Sequence, residues 1–405
     1  MINLYKSSLN PLRDADRSSL IFLTLITFGH LVVHWYTNLL SLTLPYIKME
    51  LSLTDVQVGT IITVQTGATT VAIVIVGYIA DSFNRQGALI VSLAIVSFGL
   101  SMFVLGFSSN YVWTLVASGL IGLGTALWHP AAMRSVSLHF REKRGMALSI
   151  HGVGASIGDA IGPIIIGSVI VGVSWKYVLN LHLIPALIIA LILWKSLGVM
   201  KNDKGHKTDL SIYLLGLKTM LADSQALGVV IVNTLVQMGR LSILAFFPIY
   251  LEETLNYSAS DLGIFLGLLY ITGIISQPIM GVLSDKIGRK NVLVPSFFLM
   301  GILYLLMGLV PAGWPLAIVV LGMGLFFYAI LNLIQTAIMD VAPEGVQGST
   351  MAVQGIFSLP FTLSSPVVTG FLVTQFGIRT SFWYAAASSF LAALLLLPIK
   401  FRKTI

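Results

Sequence analysis

The sequence predicts an all-α membrane protein with twelve transmembrane helices, arranged as two pseudo-symmetric six-helix bundles. Three observations predict this fold. Of the 405 residues, 56% are hydrophobic and only 10% are charged, whereas soluble domains carry about 25% charged residues. The apolar residues are gathered in segments long enough to cross a bilayer. A charged motif and a helix start both recur after about half of the chain.

The apolar segments are predicted to be helices because every backbone polar group in lipid has to be satisfied within its own segment. Each is about 20 residues long, which matches the thickness of the hydrocarbon core. The first segment lacks the small-residue cleavage site of a signal peptide, so we expect it to be retained. In chain order the predicted spans are 19–47, 55–80, 87–108, 111–137, 145–171, 176–197, 226–251, 259–284, 290–310, 314–340, 347–374 and 379–398.

The most polar connection divides the spans into two sets of six. We expect an N-terminal bundle in residues 1–197, a cytoplasmic linker in 198–225 and a C-terminal bundle in 226–405. Nineteen of the 23 Lys and Arg residues fall on the side of the two termini, and three fall on the other side. Because basic connections stay in the cytoplasm, we expect a multi-pass protein of the cell inner (plasma) membrane with both termini cytoplasmic.

A glycine–aspartate–arginine motif follows spans two and eight. The copies, in 77–86 and 281–290, are 204 residues apart. The same offset relates Thr54 to Ser258, and each is a predicted N-cap of the next span. A duplicated six-helix unit explains this repetition.

With these paired motifs the chain resembles the major facilitator superfamily over its whole length. The resemblance implies a transporter with two six-helix bundles, in which the motif acts as a cytoplasmic latch between the halves. The first copy departs from the family pattern at Asn84 and Gln86. A tight charged turn of topological value only is the alternative. The residues to which the resemblance gives the latch role are Asp81, Arg85, Asp285 and Arg289.

Span five resembles the antiporter motif of the same family, with Ile166 in place of one glycine. Its glycines allow close helix approach, and its proline can bend the helix. The resemblance gives Gly158, Gly162 and Pro163 a gating role and favours exchange over uptake. Ordinary packing of small residues is the alternative.

Span four lacks the arginine of many drug exporters, because Ser118 occupies that position. A proton relay built on that arginine therefore cannot operate here. The run from Trp128 to Pro130, which includes His129, resembles the fosmidomycin-resistance branch among the drug:proton antiporters of the superfamily. His30 in span one adds to this resemblance.

Ionisable side chains near span centres mark the candidate site, because such groups are costly in hydrocarbon and usually face a cavity. Asp159 is the only such acid and Arg240 the only such base. Arg240 is the predicted contact for an anionic substrate, since guanidinium offers a fork of donors to carboxylate or phosphonate. Asp159 is the predicted proton carrier, with His30 and His34 as alternative carriers. A structural ion pair between Asp159 and Arg240 remains open.

Spans one, four, seven and ten carry polar residues at helical spacing. The resemblance implies that these four spans line the central cavity, although interhelical hydrogen bonding would also explain the pattern. Together with Arg240, the predicted substrate-contacting residues are Asn38, Trp128, Asn233, Gln237, Tyr328, Asn332 and Gln335.

The leading hypothesis is a secondary transporter that works by alternating access and exports a small amphipathic or anionic drug or metabolite by proton coupling. Proton-coupled uptake of an organic anion and lipid flipping are the alternatives. An enzyme is disfavoured, because a chain with no cysteine and one central carboxylate offers no paired acid–base or metal cluster. No phosphate-binding loop is present, so ATP is not expected to supply the energy. We expect no bound metal, cofactor or nucleic acid. The expected partners are the substrate, protons and the lipid bilayer. The chain is expected to be a monomer.

Overall fold

The computed structural model describes residues 17–82, 87–141, 143–197, 222–341 and 347–401, and within these ranges the chain is helical without strands. The predicted linker 198–225 lies mostly outside them. A π-helical turn, Tyr250–Thr254, follows the helix Ser224–Ile249. The helices are α1 (Arg17–Glu50), α2 (Asp55–Ser82), α3 (Gly87–Phe107), α4 (Tyr111–His139), α5 (Arg144–Ile170), α6 (Trp175–Leu181), α7 (Leu183–Ser196), α8 (Ser224–Ile249), α9 (Ala259–Ile287), α10 (Arg289–Met307), α11 (Trp314–Phe327), α12 (Ala329–Val341), α13 (Gln347–Phe376) and α14 (Thr380–Leu396).

Eleven segments of the described chain are long and apolar enough to cross a membrane. Two of them are interrupted helices, because α6 continues into α7 and α11 continues into α12. The twelfth predicted span forms as α14, which is apolar but only 17 residues long. At 1.5 Å per residue it extends about 26 Å, slightly less than the hydrocarbon core of about 30 Å. The predicted fold class is confirmed.

The two halves begin their second helices with the same kind of cap. Thr54 Oγ1 accepts the Gln57 N–H (3.2 Å), and Gln57 Oε1 accepts the Thr54 N–H (2.9 Å). Ser258 and Asp261 form the equivalent pair at α9, with distances of 3.3 and 3.0 Å. Each reciprocal pair satisfies two backbone donors that a helix start leaves free. Both predicted N-caps are therefore confirmed.

Helices pack in equivalent pairs within each half. In the first half α1 packs on α5 and α2 on α4; in the second, α8 packs on α13 and α9 on α11. The pairs α3–α4 and α10–α14 complete the walls of the two halves. Buried aliphatic and aromatic side chains form one continuous core across these contacts.

The halves meet along two helix pairs, α5 with α9 and α2 with α13. Glycines allow these backbones to touch. A Cβ atom on Gly59 would collide with the carbonyl of Pro366, and one on Gly263 would collide with the carbonyl of Pro163. Only a residue without a side chain lets two helix backbones come this close.

Charged side chains also connect the halves at one end of the bundle. We call this the distal end, and it is the end at which α1 stops at Glu50 and α2 begins at Asp55. Lys48 pairs with Asp55 at 2.7 Å and, across the halves, with Glu253 at 2.8 Å. The hydroxyl of Thr374 in α13 donates to the Asp55 carboxylate (3.3 Å). Ion pairs and glycine contacts thus close the distal end together.

Candidate functional site

Asp159 occupies the centre of the candidate site, on the face of α5 that packs against α1. Its side chain is buried, with 3% of the residue exposed. Gly158 makes this position possible, because a Cβ there would collide with the carbonyl of Leu31 in α1. The carboxylate lies within hydrogen-bond distance of three groups. They are the amide Nδ2 of Asn38 (2.5 Å), the ring Nδ1 of His34 (2.9 Å) and the hydroxyl of Tyr328 (2.9 Å).

Tyr328 provides the link between the two halves at this level. It lies where α11 stops and α12 begins, at the break in that span. Its hydroxyl donates to Oδ2 of Asp159. Since α5 belongs to the first half and α12 to the second, this bond crosses the junction between the halves inside the membrane.

Arg240 on α8 lies against the Tyr328 ring. Its guanidinium carbon is 5.1 Å from the centre of that ring and 4.8 Å from the centre of the Phe327 ring. Within the described ranges Arg240 forms no ion pair, and its Nε is buried without a hydrogen-bond partner. The ion pair between Asp159 and Arg240 that the sequence left open is therefore not formed. Aromatic faces stabilise the cation but leave its donors available.

A small cavity adjoins Arg240 inside the second half. Among its lining residues are Gly239, Phe297, Met300 and Tyr304. Its volume of about 10 Å³ corresponds to one water molecule, so an organic compound fits here only after the lining side chains move apart.

Four histidines form a cluster beside Asp159. His30 is the central member, with its ring centroid 4.1 Å from that of His151, 4.8 Å from His34 and 5.3 Å from His129. Sequence reasoning missed His151, although it precedes Asp159 by eight residues on the same helix, a spacing that places both on similar faces. It also gave no indication that His129 lies next to His30.

The remaining predicted contacts are more scattered. Trp128 is fully buried and packs against Gly29, and its indole Nε1 has no partner in the described chain. Asn332 donates to Gln277 (2.8 Å) and not to the Asp159 group. Among the described residues, the hydrogen bonds of Asp159 do not include Asn233, Gln237 or Gln335. Asn233 Oδ1 and Gln335 Oε1 are buried without a partner there, and Gln237 is partly buried.

The residues of the second latch motif pair within their own half. Arg289 donates from Nε to Asp340 (2.9 Å) and from Nη1 to Asp285. Asp340, at the end of the tenth span, was not foreseen from the sequence. Of the first motif, the Asp81 side chain and Arg85 lie outside the described residues.

The predicted gating residues of α5 face two directions. Gly162 packs against Trp35 of α1, as Gly158 packs against Leu31, so both contacts lie within the first half. The carbonyl of Pro163 touches Gly263 across the junction between the halves. The small-residue face thus serves both packing within a half and contact between halves.

Comparison with known proteins identifies the family. The family model of the Major Facilitator Superfamily matches residues 26–228 and 229–404. The chain belongs to the major facilitator superfamily. This superfamily member is 27% identical to the Fosmidomycin resistance protein of Escherichia coli (strain K12) over 282 residues, which is 68% of each chain. It is 25% identical to the Hexuronate transporter of Bacillus subtilis (strain 168) over 367 residues, or 84% of each chain.

Solved structures show the same fold for this superfamily member. A variant of the nucleoside transporter NupG superposes with a TM-score of 0.78 at 12% identity, covering 95% of this chain and all of the other. A bacterial homologue of the human lysosomal transporter Spinster superposes with a TM-score of 0.77 at 15% identity, covering 95% and 97%. The protein is therefore a multi-pass membrane transporter of this fold.

Proposed function

We propose that this transporter exports a small amphipathic or anionic compound, a drug or a metabolite, in exchange for protons. The observation that carries the proposal is the double contact of Tyr328 at the junction between the halves. Its hydroxyl binds Asp159 and its ring lies against the Arg240 guanidinium. One side chain thus contacts both the candidate proton carrier and the candidate anion site.

Arg240 supports an anionic substrate class. A partly buried guanidinium without a carboxylate partner in the described chain is suited to bind a carboxylate, phosphate or phosphonate. The side chains around the adjoining cavity are mostly apolar and would contact an organic body once the cavity widens. The E. coli relative, which is a fosmidomycin resistance protein by name, supports export of such a compound.

The three hydrogen bonds of Asp159 support proton coupling. An ionised carboxylate accepts all three as charge-assisted bonds, whereas a protonated one loses the negative charge and turns one oxygen into a donor. Weakening or reversal of the Tyr328 bond would loosen this contact between the halves at mid-membrane. Proton binding would thereby favour the rearrangement, with His30 and His34 as alternative carriers beside Asp159.

Alternating access requires the two halves to open on one side at a time. The ion pairs of Lys48 and the glycine contacts support a state that is closed at the distal end. With the predicted cytoplasmic termini, this state would face the cytoplasm, where an exporter collects its substrate.

Uptake of an organic anion is the second candidate, and the similarity to a hexuronate transporter favours it. Both candidates use the same anion site and differ in direction. Transport measured in inside-out and right-side-out vesicles under the same imposed pH gradient separates them.

The test of the proposal uses the purified chain in proteoliposomes with an imposed pH gradient and a panel of anionic and neutral amphipathic compounds. Asp159→Asn is expected to abolish gradient-driven export and to keep ligand affinity within about 3-fold, since the amide cannot carry the proton. Arg240→Gln is expected to weaken anionic ligands at least about 10-fold and to spare neutral ones, because a charged hydrogen bond is lost.

Asp261→Asn is the matched control, because Asp261 is the third residue of α9, accepts the Ser258 N–H in the capping box, and as asparagine can still accept it. Gradient-driven export by Asp159→Asn at the unmodified rate would refute the carrier role. Equal losses for anionic and neutral compounds in Arg240→Gln would refute the anion site.

A further inference from the structure

The histidine cluster of the first half contains three rings arranged around one point. His30, His34 and His129 each offer a ring nitrogen, and these atoms lie within 4.8 Å of one another. The ring centroids are 4.8, 5.3 and 5.8 Å apart. Tetrahedral coordination with metal–nitrogen bonds of about 2.0–2.1 Å places such centroids about 5.2 Å apart. The three observed centroid distances therefore lie on both sides of the distance expected for a three-histidine metal site.

Each of the three rings is oriented by a hydrogen bond from its Nδ1. A carbonyl oxygen can only accept, so the Nδ1 of His30 and of His129 carries the hydrogen, and the Nε2 of each ring has a free lone pair. Metal-binding histidines in proteins are held in this way by carbonyl or carboxylate groups. The acceptors are the carbonyl of His151 for His30 (2.9 Å), the carbonyl of Thr125 for His129 (3.0 Å) and Oδ2 of Asp159 for His34 (2.9 Å).

The Nε2 of His30 lacks a partner in the described chain, although only 7% of the residue is exposed. A buried polar atom without a partner is destabilising, so a ligand that accepts its lone pair would be stabilising. His34 keeps the site reachable, because 20% of its side chain is exposed. The Asp159 carboxylate on the far side of His34 supplies negative charge near a cation.

We propose that His30, His34 and His129 bind one divalent transition-metal ion such as Zn²⁺ through their Nε2 atoms. A fourth position stays open for water or an anionic ligand, as it does in zinc sites with three protein ligands. Nitrogen donors select zinc, cobalt or nickel, whereas magnesium and calcium prefer oxygen. All three ligands belong to the first half and none of them is Arg240, so the metal proposal does not rest on the proposed anion site. The sequence predicted no metal cluster because His129 is far from His30 and His34 along the chain.

The test is a calorimetric titration of the full chain, purified without a histidine tag and held in lipid nanodiscs, with zinc chloride. We expect one zinc ion per chain, binding in the micromolar range or tighter, and no binding of magnesium. His34→Gln and His129→Gln should each weaken zinc binding at least about 30-fold, given that even outer partners of a metal site contribute about 10–100-fold.

His182→Gln is the matched control. His182 is also a histidine between helices, but both of its ring nitrogens are used, Nδ1 by the Val178 carbonyl (2.7 Å) and Nε2 by the Trp35 indole N–H (3.2 Å). Its zinc affinity should equal that of the unmodified chain. Cobalt binding, followed by the visible absorption bands of four-coordinate Co²⁺, gives a second measurement of the coordination.

Three outcomes would overturn the proposal: no saturable zinc binding up to about 1 mM, undiminished binding in His129→Gln, or an equal loss in His182→Gln. Gel filtration and thermal unfolding of each variant without metal show whether a loss reflects unfolding, and the cobalt spectrum of the unmodified chain then decides alone. Because binding is measured without transport, failure here leaves the anion export proposal untouched.

Discussion

The hydroxyl of Tyr328 and the aromatic ring that carries it have separate partners. The hydroxyl donates to Asp159 in the first half, and the ring lies against Arg240 in the second. A hydrogen bond to a charged group contributes about 1.5–3 kcal/mol, whereas a cation over an aromatic face contributes about 0.5–2 kcal/mol. The two contacts can therefore be removed one at a time.

Tyr328→Phe removes the bond to Asp159 and keeps the ring under Arg240. We expect the affinity for anionic ligands to stay within about 3-fold, while gradient-driven transport falls about 10-fold or more because the link between halves is lost. Substrate affinity and transport driven by an imposed pH gradient are the two measurements.

The control for that variant is Tyr270→Phe. The Tyr270 ring lies 5.6 Å from the Tyr328 ring, but its hydroxyl is not among the three donors to Asp159 in the described chain. Deleting it should change neither measurement. Equal effects of both variants would mean that the Asp159–Tyr328 bond has no special role.

At the scale of helices, the contact between α2 and α13 depends on the absence of side chains. Gly59 faces the carbonyl of Pro366, and Gly370 faces the carbonyl of Asp55. The hydroxyl of Thr63 donates to the Leu363 carbonyl (2.7 Å) along the same seam. This seam can form only when the two backbones approach closely, so it distinguishes the closed distal end from an open one.

Gly59→Ala places a methyl group in that seam. Overpacking typically costs about 1–3 kcal/mol, so closure at the distal end should become about 5- to 150-fold less favourable and the transport rate should fall. Gly152→Ala is the matched control, since a Cβ at Gly152 in α5 meets nothing within 4 Å. Transport by Gly59→Ala at the rate of Gly152→Ala would show that the seam does not limit the cycle.

At the scale of the whole molecule, the distal ion pairs connect rigid halves whose relative position changes during transport. Lys48 reaches both Asp55 of its own half and Glu253 of the other half. Lys176, at the same end, pairs with Glu50 inside the first half. The two lysines therefore differ in whether their pairs break when the halves separate.

Lys48→Gln should shift the population towards a state open at the distal end, whereas Lys176→Gln should not. Partly exposed ion pairs contribute about 1 kcal/mol, so the open-to-closed ratio should rise about 5-fold. The chain has no cysteine, which allows spin labels at Met49→Cys and Thr254→Cys to report the distance across the halves. An identical distance distribution in both lysine variants would contradict a role for Lys48 in closure.

Sequence alone predicted the fold class with little error. In lipid an apolar segment of about 20 residues forms a helix, since its backbone groups have no water to bind. Segment length and polarity were therefore enough to place the spans. The break at Tyr328 was not predicted, because the apolar run continues through it without a proline or glycine at the break. The break at His182 could have been predicted, because Pro185 cannot donate a backbone hydrogen bond to Leu181, where α6 ends. The short α14 also shows that span limits follow from packing as well as from hydropathy.

The sequence by itself determined which ionisable groups lie inside the membrane, because Asp159 and Arg240 interrupt otherwise apolar runs. Only the tertiary structure decided what they contact. Asp159 meets His34 across 125 positions and Tyr328 across 169 positions, and the three histidines converge from α1 and α4. Helical spacing gives the face on which a residue lies, but the partner of that face depends on how separate helices pack. Hence the sequence pointed to the site, and the fold alone connected Asp159 to Arg240 through Tyr328.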